Sequence, residues 1–511
     1  MEEEVGEEKK DAPIINRDEN NQILPNKENN NKKDIDFQLV EINNKMRTTI
    51  YICLVLINTF SSCDGGIIPQ QNTNIKKDFG DENENTLVGF FGSVDYIGRV
   101  IGAIIFSFIL GKMNRKIILF LTLILKAITL FIAVPFGGSI INIIFRGISG
   151  ISQVFYTSYL PVWCDQYGKK KQRTLMVMFM QLGNPFGIII GYGIAMVCDM
   201  ITKNSNYHGW RVAFGFEGVI LVICAFIIFC FNKKYFSEKF VLIDDNIGKE
   251  EIKKEEESDK KLINFKNILK ILCNKLFLFT TLSNSISFFG LGIVQYWGDQ
   301  YMEIILKIEG NLRFVIFAVL CLLGPILGMI FGGIVCSKLG GYNKKKAMIF
   351  VMIITAIASI ISSFITINDN MAVFIIFTLS YLFFICAPIS PESGIIISSL
   401  DNHLRGDGFA LSNSLLNLLG SFPSSYIFGA LSDLYESKLS KELVENNKHY
   451  VYAWFTCMAY NYVGVILIII AGCFRFKIKG DLSSNPEEEI ENIEGIDISS
   501  STTSKDLISD Q

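Results

Sequence analysis

Between about Arg47 and Phe476 the chain repeats a single pattern: some twelve apolar stretches of helical length, each closed by a short polar loop. A helix needs about 20 apolar residues to cross a bilayer, because no water there satisfies backbone N–H and C=O groups. The spacing predicts spans at 48–70, 87–110, 117–136, 138–161, 174–199 and 211–231. After a polar segment it predicts six more, at 276–298, 313–337, 346–366, 371–398, 407–431 and 450–474. The expected fold class is an all-α membrane protein, with twelve transmembrane helices in two pseudo-symmetric six-helix bundles. Twelve spans leave almost no chain for a soluble catalytic domain, so no enzyme is expected.

Charge patterning divides the chain further. Charged residues make up 19% of the 511 and crowd residues 1–46, the stretch 232–261 and the tail after Lys477. The expected domains are a disordered cytosolic tail (1–46), an N-terminal bundle (47–231), a cytosolic linker (232–275), a C-terminal bundle (276–476) and a second disordered tail (477–511). Within the linker the run beginning at Leu262 is amphipathic and suits the membrane surface. A net charge of −3 with no basic face gives no platform for nucleic acid. The 12 cysteines form no CxxC pair, which favours free thiols over a disulfide or zinc framework. His208, His403 and His449 all fall near loops, so neither a metal centre nor any other cofactor is expected. The acidic, Lys/Asn-rich N-terminus does not read as a cleavable signal.

Lysine and arginine set the orientation. Lys112, Arg115 and Lys116 follow span two, Lys169 to Lys171 and Arg173 follow span four, and Lys338 with Lys344 to Lys346 follow span eight. The alternate loops after spans three, five and nine hold only Lys203. The positive-inside rule then places both termini in the cytosol. The helix-end clusters at Gly111-Lys112-Met-Asn-Arg115-Lys116 and Ser337-Lys338-Leu-Gly340 recur at equivalent places, the mark of a duplicated six-helix unit. Carriers built from such halves hold their site near the midplane between them. Lys112, Arg115, Lys116 and Lys338 are the expected gating residues of these loops.

Candidate site residues are the polar ones inside the spans, since a charge at a helix centre costs roughly 2.5–3.5 kcal/mol and turns toward the interior or a wet cavity. Asn58 and Asp64 lie late in span one, beside Gly65, Gly66 and Pro69, which suggests an irregular helix end. Asp64 either caps the span or faces a proton or solute. Asp95 and Arg99 stand four apart on one helix face and can pair, either as a structural lock or as a contact for an anionic group. Arg146, Gln153 and Tyr156 line one side of span four, which suits an anionic headgroup or a packing and gating role. Pro185 and Gly187 allow span five to flex. Gln295 and Trp297 form either an interfacial aromatic belt or a lid. Glu392 is a further acid in an apolar run, in span ten.

Four stretches then carry a resemblance: Asn58-Thr-Phe-Ser-Ser-Cys-Asp64 with Ile67-Ile68-Pro69; Phe145-Arg146-Gly147-Ile-Ser-Gly150 running on to Tyr156 and Pro161; Asn184-Pro185-Phe-Gly187 with Gly191; and Leu418 to Asp433. The chain resembles the major facilitator superfamily and, more narrowly, the Spinster-like carriers, over roughly 48–474. That resemblance implies two bundles working by alternating access on lysophospholipids or sphingoid lipids, often out of lysosomes and often with protons. It also implies that Asp64 and Arg146 belong to the coupling and headgroup site. Gly65 replaces the family's arginine, Gln153 its fourth-helix glutamate, Gly111 and Ser337 its loop aspartates, and Lys112 an arginine. No GxxxxGK[ST] occurs, so ion gradients rather than ATP are the expected energy source. The expected partners are the membrane, a lipid or small-molecule substrate such as an organic anion, and protons, with the protein a monomer. The expected location is a lysosome-like, vacuolar or plasma membrane. The alternatives are a carrier for sugars, drugs or other polar metabolites, and a receptor that has lost transport.

Overall fold

The first span does not run straight. Helix α1 (Asn44–Phe60) ends where the Ser61 and Ser62 hydroxyls both take the Asn58 carbonyl, at 3.1 and 2.9 Å. Such back-bonding competes with the helical ladder. The chain turns through residues 61–63 and restarts as α2 (Asp64–Gln70), so Asp64 opens a second segment rather than capping the end of the span. The polar helix α3 (Asn72–Phe79), which hydropathy did not signal, follows and stops at Gly80 in the left-handed conformation.

This computed structural model describes residues 44–80, 85–109, 113–135, 138–167, 173–203, 208–236, 265–367, 370–401, 404–478, 480 and 482. Most of both expected tails, Gly111, Lys112, Lys169 to Lys171, His403 and most of the linker lie outside them; 44–46 and Lys477, expected in the tails, belong to helices. The N-terminal half continues as α4 (Asn85–Ile109), α5 (Arg115–Ala133), α6 (Ser139–Tyr167), α7 (Arg173–Thr202) and α8 (Gly209–Cys230). The amphipathic α9 (Phe265–Cys273) precedes α10 (Lys275–Ile304), α11 (Gly310–Lys338), α12 (Lys345–Ser362), α13 (Met371–Cys386) and α14 (Ile389–Ser398). Ile271 of α9 packs against Phe277, Ile396 and Leu400. Span eleven is α15 (Arg405–Leu416), a π turn (Asn417–Ser421) and α16 (Phe422–Lys438); the short α17 (Lys441–Glu445) leads to α18 (Lys448–Ala459) and α19 (Asn461–Lys477). Asparagines Asn114, Asn274 and Asn370 cap the starts of α5, α10 and α13 with their side-chain oxygens.

Among the described residues ten helices are long and apolar enough to cross a membrane. They do not include α6 or the α15–α16 pair, both rich in polar side chains. Ile144, Phe226, Val315, Ile353 and Ile466 are each more than half exposed, an outer apolar surface that suits lipid.

The basic loops do local work. Lys116 donates from Nζ to the carbonyls of Phe229 (2.7 Å) and Phe231, fastening α5 to the end of α8. In the second half Lys345 donates to the Phe476 carbonyl at 3.3 Å and Arg475 to that of Asn343, fastening α12 to the end of α19. A cation on the last carbonyls of a helix also offsets its dipole. Arg115 sits over the Tyr159 ring at 5.6 Å, and Lys338 is exposed at the end of α11.

The halves meet through α4 against α16, α2 against α10 and α7 against α11. Small residues make the approach possible: a Cβ on Gly89 would lie 2.3 Å from the Ser425 carbonyl oxygen. The hydrogen bonds joining the halves cluster at the face opposite the basic loops. Asp433 accepts from the Asn85 and Thr86 backbone amides at 3.0 and 2.7 Å, satisfying the free N-terminus of α4. Lys76 donates to Asn85 and, at 3.3 Å, to Tyr450, whose hydroxyl also receives Gln300 at 3.1 Å. Tyr192 reaches across to Asp299, which also meets Arg313 at 3.0 Å.

Candidate functional site

The break in span one exposes more than a carboxylate. With its helix ladder interrupted, the Ser61 carbonyl is available, and Lys126 from the middle of α5 donates to it. The same ammonium donates to Asp64 Oδ2 at 2.9 Å and to Gln153 Oε1 at 3.3 Å, and stands 3.7 Å from Glu217 on α8. Arg146 of α6 donates from Nη1 to the same Asp64 oxygen, while its Nη2 lies 3.9 Å from Asp95. Asp95 in turn accepts from Arg99 at 2.9 Å, and Arg99 covers the Tyr96 ring at 4.7 Å. Three acids and three bases thus form one chain of contacts, Glu217–Lys126–Asp64–Arg146–Asp95–Arg99, drawn from α2, α4, α5, α6 and α8.

All but Arg99 are almost fully withdrawn from solvent: Lys126 is 0%, Glu217 1%, Asp64 and Asp95 2% and Arg146 6% exposed. Formal charges balance, as they must where desolvation of an unpaired ion is so costly. Hydrogen-bonding capacity is not fully used. Among the described residues no close hydrogen bond is made by Arg146 Nε, Arg99 Nε, Asp95 Oδ1 or either oxygen of Glu217, whose contact is the longer ion pair with Lys126. Backbone packing fixes the site. A Cβ on Gly150 would fall 2.0 Å from the Asp95 carbonyl oxygen and one on Gly66 1.8 Å from that of Ile188, so α6 and α4, and α2 and α7, touch along their backbones.

Of the residues marked from sequence, Asp64, Asp95, Arg99, Arg146 and Gln153 come together here. Tyr156 is fully buried on α6, within electrostatic range of Lys126. Asn58 stands apart, tying α1 to α7 by a 2.7 Å bond to the Met180 carbonyl. Pro185 lies inside an unbroken α7, and Gly187 serves close approach, since a Cβ there would meet the Thr59 carbonyl oxygen at 2.1 Å. Trp297 is fully buried, which removes it from any lipid-facing belt; it stacks on Phe428 at 4.8 Å and donates to the Ser425 carbonyl. Gln295 is partly buried on α10, and its neighbour Tyr296 spans to the Val88 carbonyl at 2.6 Å, close enough to act on Arg146 and Asp95. Glu392 is buried in the other half, on α14.

Lys126 and Glu217 were not singled out from sequence, although each is a lone charge in an apolar run, Leu123-Ile-Leu-Lys126-Ala-Ile and Phe216-Glu217-Gly-Val. The rule that marked Asp64 applies equally to them. Tyr192 and Asp299 carried a weaker signal, because their partnership exists only across the two halves.

Comparisons with known proteins bear on the family and the fold. The family model described as Major Facilitator Superfamily matches residues 51–425. A probable sphingolipid transporter, spinster homolog 1 of Arabidopsis thaliana, is 21% identical over 306 residues, covering 57% of this chain and 60% of that protein. A sphingosine-1-phosphate transporter, SPNS2 of Xenopus tropicalis, is 21% identical over 401 residues, 70% of this chain and 69% of its own. The crystal structure of a bacterial homologue of the human lysosomal transporter Spinster, inward-facing and unoccupied, superposes with a TM-score of 0.67 at 13% identity, covering 85% of this chain and 97% of that one. The match thus spans three fifths of the length of the plant relative.

Proposed function

We propose, since this chain belongs to the Major Facilitator Superfamily, that it is a secondary carrier of an amphipathic lipid of the sphingoid or lysophospholipid type, or of a small organic anion. Its two six-helix bundles, 47–231 and 276–476, open alternately to either side of the membrane. The observation that carries the proposal is the unspent donor capacity of Arg146 and Arg99 in a buried, charge-balanced centre just beneath the seal between the halves. Guanidinium groups suit phosphate or carboxylate, because their donors form a planar fork. Tyr296, which reaches toward Arg146 and Asp95 from the second half, offers an aromatic surface to an acyl or sphingoid chain.

The seal of Asn85, Thr86, Asp433, Tyr192 and Asp299 closes one face, and the carrier therefore receives its solute from the face of the basic loops. That face is the cytosolic one by the positive-inside rule, with both termini beside it. Protons supply the driving gradient, the protein works as a monomer, and it resides in a lysosome-like, vacuolar or plasma membrane. The names of the sphingolipid relatives support the substrate class.

Reconstitution into proteoliposomes tests the proposal. Saturable uptake of a fluorescent lysophospholipid, abolished by Arg146→Ala and accelerated by trans substrate, is expected. Saturable hexose uptake with no lipid flux would overturn the substrate class. Ligand binding without flux of either would overturn transport.

A further inference from the structure

Glu217 is the one member of the charged chain that the headgroup site does not use. It lies in the middle of α8 and is 1% exposed, and among the described residues no hydrogen-bond donor reaches either oxygen. Its nearest cation, Lys126, stands at 3.7 Å with its ammonium already committed to Asp64 at 2.9 Å, to Gln153 at 3.3 Å and to the Ser61 carbonyl. Helix α8 packs against α5, α7, α1 and α2. Lys126 faces Glu217 from α5, Asp64 and Cys63 face it from the α1–α2 bend, and Arg146 acts on it from α6. Tyr192, Cys198 and Asp199 of α7 lie toward the sealed face instead. Asp64, by contrast, has two cations on one oxygen and is held as an ion.

A buried carboxylate whose nearest donor is a long, shared cation is an unfavourable anion, and a proton relieves it without rearrangement. A metal ion does not fit. Calcium or magnesium needs several convergent oxygens, whereas here one carboxylate faces an ammonium that repels any second cation. Gln153 and Glu217 flank Lys126 on two sides, one an amide and the other an acid.

We propose that Glu217 is the proton-binding site of the transport cycle, with Lys126 as the positioning residue that couples it to Asp64. In one state the Glu217 oxygen takes a proton from the aqueous phase, becoming a neutral carboxyl while Lys126 stays with Asp64. In the other it releases that proton to the opposite aqueous phase, and its carboxylate draws the ammonium away from Asp64, which then holds Arg146 more tightly. Arg146 is looser toward the solute in the protonated state, where Lys126 shares the same Asp64 oxygen. This rests on the carrier reading above, and the experiment separates the two.

The full chain in proteoliposomes is given a pH gradient, with a fluorescent lysophospholipid as the probe. Coupling to one proton is expected to accumulate it about tenfold per pH unit. Glu217→Gln is expected to abolish accumulation while retaining counterflow exchange. Adding Gln153→Glu to that variant, which returns an acid to the other flank of Lys126, is expected to restore the gradient response. Undiminished accumulation in Glu217→Gln, or no rescue by the double variant while it still exchanges, would overturn the assignment. A second readout does not depend on the probe. Infrared difference spectra of the purified protein between two pH values are expected to lose one protonated-carboxyl component in Glu217→Gln, and an unchanged spectrum overturns the assignment. Absence of counterflow in the wild type would instead contradict the carrier reading alone.

Discussion

In the N-terminal half, five helices converge on six ionisable side chains linked from Glu217 to Arg99. In the C-terminal half the helices pack on hydroxyls, an amide and aromatic rings: Ser283 to the Gly464 carbonyl (3.1 Å), Ser359 to that of Asn461 (3.2 Å), and Tyr381 to the Asn461 side chain (3.4 Å). Each half fastens its third helix to its last through a basic side chain, Lys116 in one and Lys345 in the other. The fastening recurs while the interiors differ. The buried ion network lies on one side of the interface, while the other supplies the partners of the seal and a buried acid, Glu392. On the proposed reading, such an asymmetric interface suits a solute with a charged head and an apolar body better than a uniformly polar one.

Several substitutions would break or sharpen that contrast. The largest effect is expected from Lys126→Met, which leaves Asp64 and Glu217 buried with Arg146 as their remaining cation. Removing one partner of a buried ion network costs about 3–5 kcal/mol, and thermal unfolding in detergent should show a correspondingly large fall. An unaltered midpoint would mean that the network carries little stability. Next, Gly89→Val forces a side chain into the Ser425 carbonyl, an overpacking worth about 1–3 kcal/mol. Spin labels on the two halves should report wider separation at the sealed face; unchanged distances would show that α4 and α16 do not set closure.

A third effect is pH-dependent. Burial in the seal pushes the Lys76 ammonium down to about 8, against the pull of Asp433, Glu436 and Glu303. Solvated in an opened face it would titrate at its usual 10.5. The open state therefore binds more protons between those values, and closure is favoured as pH rises through that window, with no dependence on Lys76 below it. The same spin-label distances, followed from pH 7 to 10, should shorten in the wild type and stay flat in Lys76→Gln. The smallest effect belongs to the second half: Ser359→Ala should cost only about 0.6 kcal/mol, the usual worth of a hydrogen bond between membrane helices. A loss as large as that of Lys126→Met would erase the difference between the interiors.

Much of the frame was legible in the sequence. The periodicity of apolar runs located the helices to within a few residues, though α6 extends to Tyr167 and α10 to Ile304, past the expected ends at 161 and 298. Gly65, Gly66 and Pro69 suggested an irregular helix end, yet they lie inside α2; the interruption falls before Asp64, at 61–63, where two serine hydroxyls take the Asn58 carbonyl. The i, i+4 spacing of Asp95 and Arg99 gave their pair directly. What periodicity alone cannot give is which helices face one another. Lys126 and Glu217 were readable as lone charges, but their meeting with Asp64 depends on α5 and α8 packing side by side behind α2. The basic loops were legible as clusters and not as fasteners, because the carbonyls they hold lie more than a hundred residues away.

The most direct test concerns Arg146, the buried cation of the charged half that lies within electrostatic range of Tyr296 in the other half. Proteoliposome flux of two single-chain amphiphiles, matched in chain length and differing only in an anionic or an uncharged head, should be compared in wild type and in folded Arg146→Ala. Loss of a charge-assisted contact should lower the anionic flux by at least about tenfold, with the uncharged probe nearly unaffected. Equal losses for both heads would place Arg146 in packing alone and contradict a charged half that selects the solute.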